Sequence, residues 1–391
     1  MSVGDLAEAW AARLEDALPA AVDLRHDLHA HPEVSGQETW TAQRVAGALD
    51  AADAPAVAGT GRLVRVGPAE GPAVAVRAEL DGLPMREHSG VAYAADGDAM
   101  HACGHDLHLA ALVALARSAP PDLPVALLAV VQPREELSPS GAEDVVASGV
   151  LGSHDVRAVI GAHVQPRLPT GTVSADPGVV NASVDEFDLH VSGNGGHGAY
   201  PHLAGDTVSA LSACVLAAQS LARTAVDPMH VATVSFGVLR AGAAANVIPA
   251  QATATGTLRA FADDDREQML TRLRHTARTV ADAYSCHGEL RLVSTEPALT
   301  NDAGLAERAA GWFTTVGAGR PAPFRSCGSD DFAYYAAAAP SLMLFVGCGD
   351  DDGSGPMLHQ PTFVPDDALV GQVARAMLAG WLGAAETLTG R

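Results

Sequence analysis

Between Met100 and Asp106 the chain reads Met-His-Ala-Cys-Gly-His-Asp, packing a thiol, two imidazoles and a carboxylate into seven residues. Cys103 and His105, two residues apart, offer the mixed sulfur and nitrogen donors that suit borderline-soft divalent ions. A Cys103 nucleophile with a histidine partner is the competing use of the same residues. Further along, the apolar run from Val125 runs into Gln132 and then Pro133-Arg134-Glu135-Glu136. Two adjacent carboxylates just past a strand suggest two roles and supply the other half of a metal site. Taken alone, the Glu135-Glu136 pair also reads as an acidic helix start.

The elements needed to position these groups are legible in the hydrophobic pattern. Strands are expected at Ala73–Leu80, Val125–Val131, Ala158–His163 and Ser341–Val346. Helices are expected at Asp106–Ser118, Gly141–Ser148 and Asp366–Leu388. Short apolar runs alternating with helices imply a mixed or parallel α/β sheet. Asp81, Glu135, Glu136, His163 and His359 each close or follow one of these strands, and Cys103 and His105 precede a helix. That carboxyl edge is where open α/β sheets bind ligands.

A different order occupies the middle of the chain. Ser183–Ser192, Val231–Leu239, Ala252–Phe261 and Gly288–Val293 read as strands, with helices at Asp206–Ala222 and Asp263–Ala283. Strand, helix, two strands, helix, strand is a ferredoxin-like α+β arrangement. The expected organisation is a catalytic α/β domain over residues 1–178, an inserted lid or dimerisation domain over 179–295, and a second catalytic segment over 296–391.

Composition narrows the partners. The formal charge is −22, and all 24 basic residues are Arg. Nucleic acid and anionic membranes demand clustered positive charge, so neither is an expected partner. The apolar runs fall short of the roughly 20 residues a membrane helix needs. Met1 to Leu14 lacks the basic head and apolar stretch of a secretory leader, so a cytoplasmic location is expected. Five scattered cysteines argue against a disulfide framework.

Taken in order, the motifs resemble the aminoacylase/carboxypeptidase metallopeptidase family, in its amidohydrolase branch of hippurate and indoleacetyl-amino acid hydrolases. The likeness runs through Arg25 to Glu33, Arg77 to Pro84, His101 to Asp106, Gln132 to Glu136, Gly195 to His202, Asn246 to Pro249, Gly256 to Arg259, Gly328 to Phe332 and Leu358 to Pro361. The resemblance implies two divalent ions, Zn or Mn before Co or Ni, bound by Cys103, His105, Glu136, His163 and His359. It implies Glu135 as general base and then acid on an amide, through a water shared by the metals. Asp81 would orient a ligand, and His197 would stabilise the oxyanion. Asn246 and Arg259 would contact substrate, although Arg259 suits an internal ion pair equally well. The implied enzyme is a homodimer joined through the inserted domain and cleaves N-acyl or N-aroyl amino acids. A dipeptidase or carboxypeptidase of the same family and a non-catalytic metal-retaining binder are the alternatives. Glu79 replaces the usual Asp, Asp330 the usual Glu, and Ser138-Pro139-Ser140 a Gly-rich stretch, which weakens the substrate assignment more than the reaction class.

Overall fold

The strands Ala73–Glu79 and Ala126–Gln132 are buried at every position. Only a sheet covered on both faces gives such strands. The computed structural model describes residues 2–350 and 355–390. Its chain divides into two compact units: 1–180 with 300–325 and 331–391, and 181–299 with 326–330.

The first unit is built on a mixed sheet of eight strands among the described residues. Ala73–Glu79, Ala126–Gln132, Val156–Pro169 and Ser341–Gly349 form its parallel centre, with Ala73–Glu79 between Ala126–Gln132 and Val156–Pro169. Gly61–Val66 pairs antiparallel with Ala126–Gln132 toward one edge, and Thr172–Ser174 pairs antiparallel with Ser341–Gly349 toward the other. Helices Val3–Ala30, His105–Ser118, Ala303–Val316 and Ala368–Thr389 share one apolar core with this sheet. Trp10 and Trp381 meet there edge to face, 4.9 Å between ring centres, and the Trp10 indole N–H donates to Leu115 O at 3.1 Å.

Two expectations need correction. The strand bearing His163 does not close at that residue but runs on to Pro169. Ser341–Gly349 pairs alongside it through Gln165, and the added ladder bonds extend it. Helix Ala368–Thr389 is long and apolar enough to span a membrane, which no segment was expected to be, but it is a core helix whose apolar stretch is mostly buried within the fold.

In the second unit four antiparallel strands lie in the order Ala232–Ala241, Gln251–Ala260, Ser183–Ser192, His287–Glu296. The alternate buried residues of Ser183–Ser192 and Gln251–Ala260 face helices Thr207–Leu221 and Asp263–Asp282. Residues 326–330 belong to this unit although they lie far beyond 295 in sequence. Arg259 helps hold them, donating from Nη1 to Cys327 O at 2.8 Å.

Candidate metal centre

The strand ends of the first unit bring the expected donors together. Cys103 Sγ lies 3.5 Å from His163 Nε2 and 3.3 Å from His359 Nε2. Glu136 Oε1 is 3.3 Å from His359 Nε2, and Glu135 Oε2 is 3.9 Å from His105 Nε2. Cys103, Glu136 and His359 form one cluster of donor atoms, and His105, Glu135 and Glu136 form another. Glu136 belongs to both.

Local structure explains how short sequence motifs reach this geometry. Gly104 sits at φ 85° and starts helix His105–Ser118, so the chain turns sharply between Cys103 and His105. A Cβ at Gly104 would lie 2.7 Å from Val164 Cγ2, which leaves room for glycine alone. His359 also has a positive φ, 63°, and its backbone N–H donates to Ala102 O at 2.9 Å. That bond ties the C-terminal segment to the Cys103 loop.

Asp81, buried at the end of its strand, organises both halves of the cluster. Its carboxylate accepts the backbone N–H of Glu135 at 3.1 Å and that of Glu136 at 3.0 Å. Ser35 Oγ donates to the same carboxylate at 2.6 Å. The Asp81 carbonyl accepts from His105 Nδ1 at 2.8 Å. A carbonyl can only accept, so Nδ1 carries the proton and a neutral His105 offers its Nε2 lone pair to the cluster. His163 is set the same way, with Nδ1 donating to Val164 O at 2.7 Å.

The electrostatics favour a bound cation. Burial opposes charge on His105, yet Glu79, Asp81 and Glu136 hold its pKa above the ordinary value. Burial and the neighbouring His108 push His163 well below its ordinary value, toward the neutral form a metal requires. Burial alone would raise Glu136, but His359, His105 and Cys103 hold it below the usual range. His105 Nε2 is buried without a hydrogen-bond partner, and Glu136 Oε1, equally buried, faces the His359 imidazole. Unpaired buried lone pairs are costly unless a ligand meets them, so the residues fit a metal centre of sulfur, nitrogen and oxygen donors.

His108 lies three residues from His105 on the same helix face, a spacing that marks both as neighbours. It was absent from the expected ligands, and the structure gives it other work. Its Nδ1 donates to Glu79 Oε2 at 3.0 Å and its Nε2 accepts from Val164 N at 3.0 Å, so both ring nitrogens are engaged. Glu79 and Asp331 both pair with the buried Arg77 guanidinium, and Gln132 Nε2 donates to Asp331 at 2.7 Å. Sequence reading quoted Arg77, Glu79 and Asp331 as motif residues but did not find this buried network, which joins them across 254 positions.

His197, Asn246 and Arg259 lie in the second unit. His197 and Asn246 are brought together: Gly196–His197 pairs with Val247–Ile248, and Gly198 N donates to Asn246 O at 2.8 Å. His197 Nδ1 accepts from Ala199 N at 3.1 Å. Arg259 lies on a separate strand beside Cys327.

The fold and donor cluster are those of a metallohydrolase, and the chain belongs to the peptidase family M20/M25/M40, whose pattern matches residues 75–379. It is 31% identical to the N-acetylcysteine deacetylase of Bacillus subtilis strain 168, covering 88% of this chain and 92% of that protein. It is also 31% identical to the N-acetyldiaminopimelate deacetylase of Bacillus pumilus, covering 92% and 96%. The solved structure of the Bacillus subtilis YXEP protein, a dinuclear metal-binding peptidase of the M20 family, superposes with a TM-score of 0.81 at 28% identity. That match covers 96% of this chain and 99% of the other. The protein is an amide-bond hydrolase of this family.

Proposed function

We propose that this enzyme hydrolyses the amide bond of small N-acyl amino acids, with Cys103, His105, Glu136, His163 and His359 holding two divalent ions. The observation that supports this most directly is the convergence of Cys103, His359, Glu136, Glu135 and His105 in overlapping donor clusters at one sheet edge. When bound, such ions lower the pKa of a water toward neutrality and polarise the amide carbonyl. The mixed sulfur, nitrogen and oxygen set suits Zn or Mn first, with Co or Ni as substitutes.

The chain's own residues do the rest. Glu135, fixed through its backbone by Asp81, takes a proton on its carboxylate from the attacking water and returns it to the leaving amine. Because His197 Nδ1 accepts from Ala199, its proton sits on Nε2, the donor needed by a developing oxyanion. Arg259 keeps N–H groups beyond the one used on Cys327 for a substrate carboxylate. Asn246 is assigned to polar substrate contact beside His197.

A homodimer joined through the second unit is part of the same proposal. Its edge strand Ala232–Ala241 exposes Leu239, and Leu216 and Met229 are 67% and 87% exposed. An open strand edge with apolar neighbours is a surface that association would cover. A cytoplasmic location agrees with five free cysteines.

The test is hydrolysis of N-acetyl, N-benzoyl and N-indoleacetyl amino acids, with N-acetylcysteine, N-acetyldiaminopimelate and dipeptides, by protein stripped of metal and reloaded with Zn or Mn. We expect metal-dependent release of an amino acid from the acyl substrates. Glu135→Gln should retain both metals and lose about 10²–10⁴-fold in kcat. Cleavage of dipeptides alone would overturn the substrate class, and full activity of Glu135→Gln would overturn the mechanism.

A further inference from the structure

Three consecutive backbone amides, centred on the candidate acid–base residue, are captured by two buried carboxylates. Glu135 and Glu136 donate to Asp81, while Arg134 N donates to Glu38 Oε1 at 2.9 Å. Glu38 lies 96 positions from Arg134, at the start of helix Thr39–Ala48, and is completely buried. Its hydrogen bonds come from neutral donors: Gly36 N at 2.8 Å and Thr60 Oγ1 at 2.7 Å beside Arg134 N. Burying a carboxylate on neutral donors alone is expensive unless its place is fixed by several bonds.

Arg134 explains why such a residue is needed. Its φ is 51°, in the left-handed region that a non-glycine side chain adopts only against strain. The conformation is over-determined from both sides, since Gly141 N donates to Arg134 O at 2.9 Å while Glu38 takes the Arg134 N–H. Below it, Gly36 at φ 82° leaves space that a Cβ would restrict, 3.4 Å from Arg134 Cδ. A strained residue immediately before a reacting group sets the direction in which that group projects.

We propose that Glu38 is a positioning residue for catalysis: by holding Arg134 in its left-handed conformation it aims the Glu135 carboxylate. The proposal rests on the assignment of Glu135 as general base. The role is one of reach rather than charge, so two conservative variants should separate in opposite senses. Glu38→Gln keeps the length, and its Oε1 accepts the same two amides while its Nε2 donates to the Thr60 hydroxyl. Glu38→Asp keeps the charge but withdraws the acceptor by one methylene.

The experiment measures kcat, KM, pH profile and bound-metal stoichiometry of both variants, and amide hydrogen exchange at Arg134 in metal-free protein. Glu38→Asp is expected to lose about tenfold to a hundredfold in kcat, with KM and two bound metals unchanged and faster exchange at Arg134. Glu38→Gln should stay within about threefold of the parent, with the same pH profile and slow exchange. Parental kcat in Glu38→Asp, an equal loss in Glu38→Gln, or loss of metal from Glu38→Asp would each overturn the proposal. If the parent protein itself shows no metal-dependent turnover, the functional reading fails, and unchanged exchange at Arg134 in Glu38→Asp would separately refute the hold on that residue.

Discussion

Asp81 shows how one buried side chain can set several others. Its carboxylate takes two successive amides and its carbonyl fixes a histidine tautomer, so Glu135, Glu136 and His105 are all referred to one residue. Asp81→Asn tests this at the residue scale. The amide has only one acceptor oxygen, so its NH₂ must face either the Glu135 or the Glu136 N–H. We expect metal affinity or kcat to fall about ten- to a hundredfold, measured by metal titration followed by turnover. The same scale shows why neighbouring histidines differ. His101, two positions before Cys103, is pushed down to about 4 by burial and stays uncharged, whereas Glu79, Asp81 and Glu136 outweigh the burial of His105 and raise its pKa.

At the scale of elements, helices Val3–Ala30 and His105–Ser118 are locked by a buried charge network. Asp106 Oδ2 accepts from His29 Nδ1 at 2.9 Å and from Arg25 Nε at 3.2 Å, and His29 Nε2 reaches Glu87 at 3.1 Å. Burial opposes ionisation of Asp106, but His29 and Arg25 hold its carboxyl far below the usual range. A depressed carboxyl stabilises the fold above its unfolded pKa of about 3.8 and ceases to do so as pH falls through the folded value. Burial likewise lowers His29, but Asp106 and Glu87 outweigh it and raise the group. Its contribution is therefore complete below about 6.5 and lost as pH rises through the higher folded value. Thermal unfolding of metal-free protein should show stability falling below about pH 4. Asp106→Asn should lose about 3–5 kcal/mol near pH 6 and show a flatter acid limb. An unchanged acid limb in that variant would assign the loss to other carboxylates.

For the whole molecule, the open edge and exposed apolar side chains of the second unit predict a particle of twice the 39.9 kDa chain mass by light scattering. If His197 serves a neighbour's metal centre, mixing inactive Glu135→Gln with inactive His197→Ala protein restores part of the activity. Restoration would place His197 at a neighbour's metal centre, and its absence after confirmed subunit exchange would place His197 in its own subunit's reaction. The amino-acid sequence by itself determined the alternating element order, the mixed sheet and the motifs at its strand ends, because hydrophobic periodicity and turn chemistry act over a few residues. Cys103 and His105 could be singled out for the same reason, their spacing being local. What only the tertiary structure decided was long-range: that Cys103 meets His163 and His359 across 60 and 256 positions, that the His163 strand runs on to Pro169, and that an apolar terminal helix is the core of the fold. It also decided that residues 326–330 belong with the second unit, and that a glutamate at position 38 holds the backbone before Glu135. Such contacts come from packing and hydrogen bonds between segments distant in the chain, and no short-range pattern encodes which buried donor will meet which acceptor.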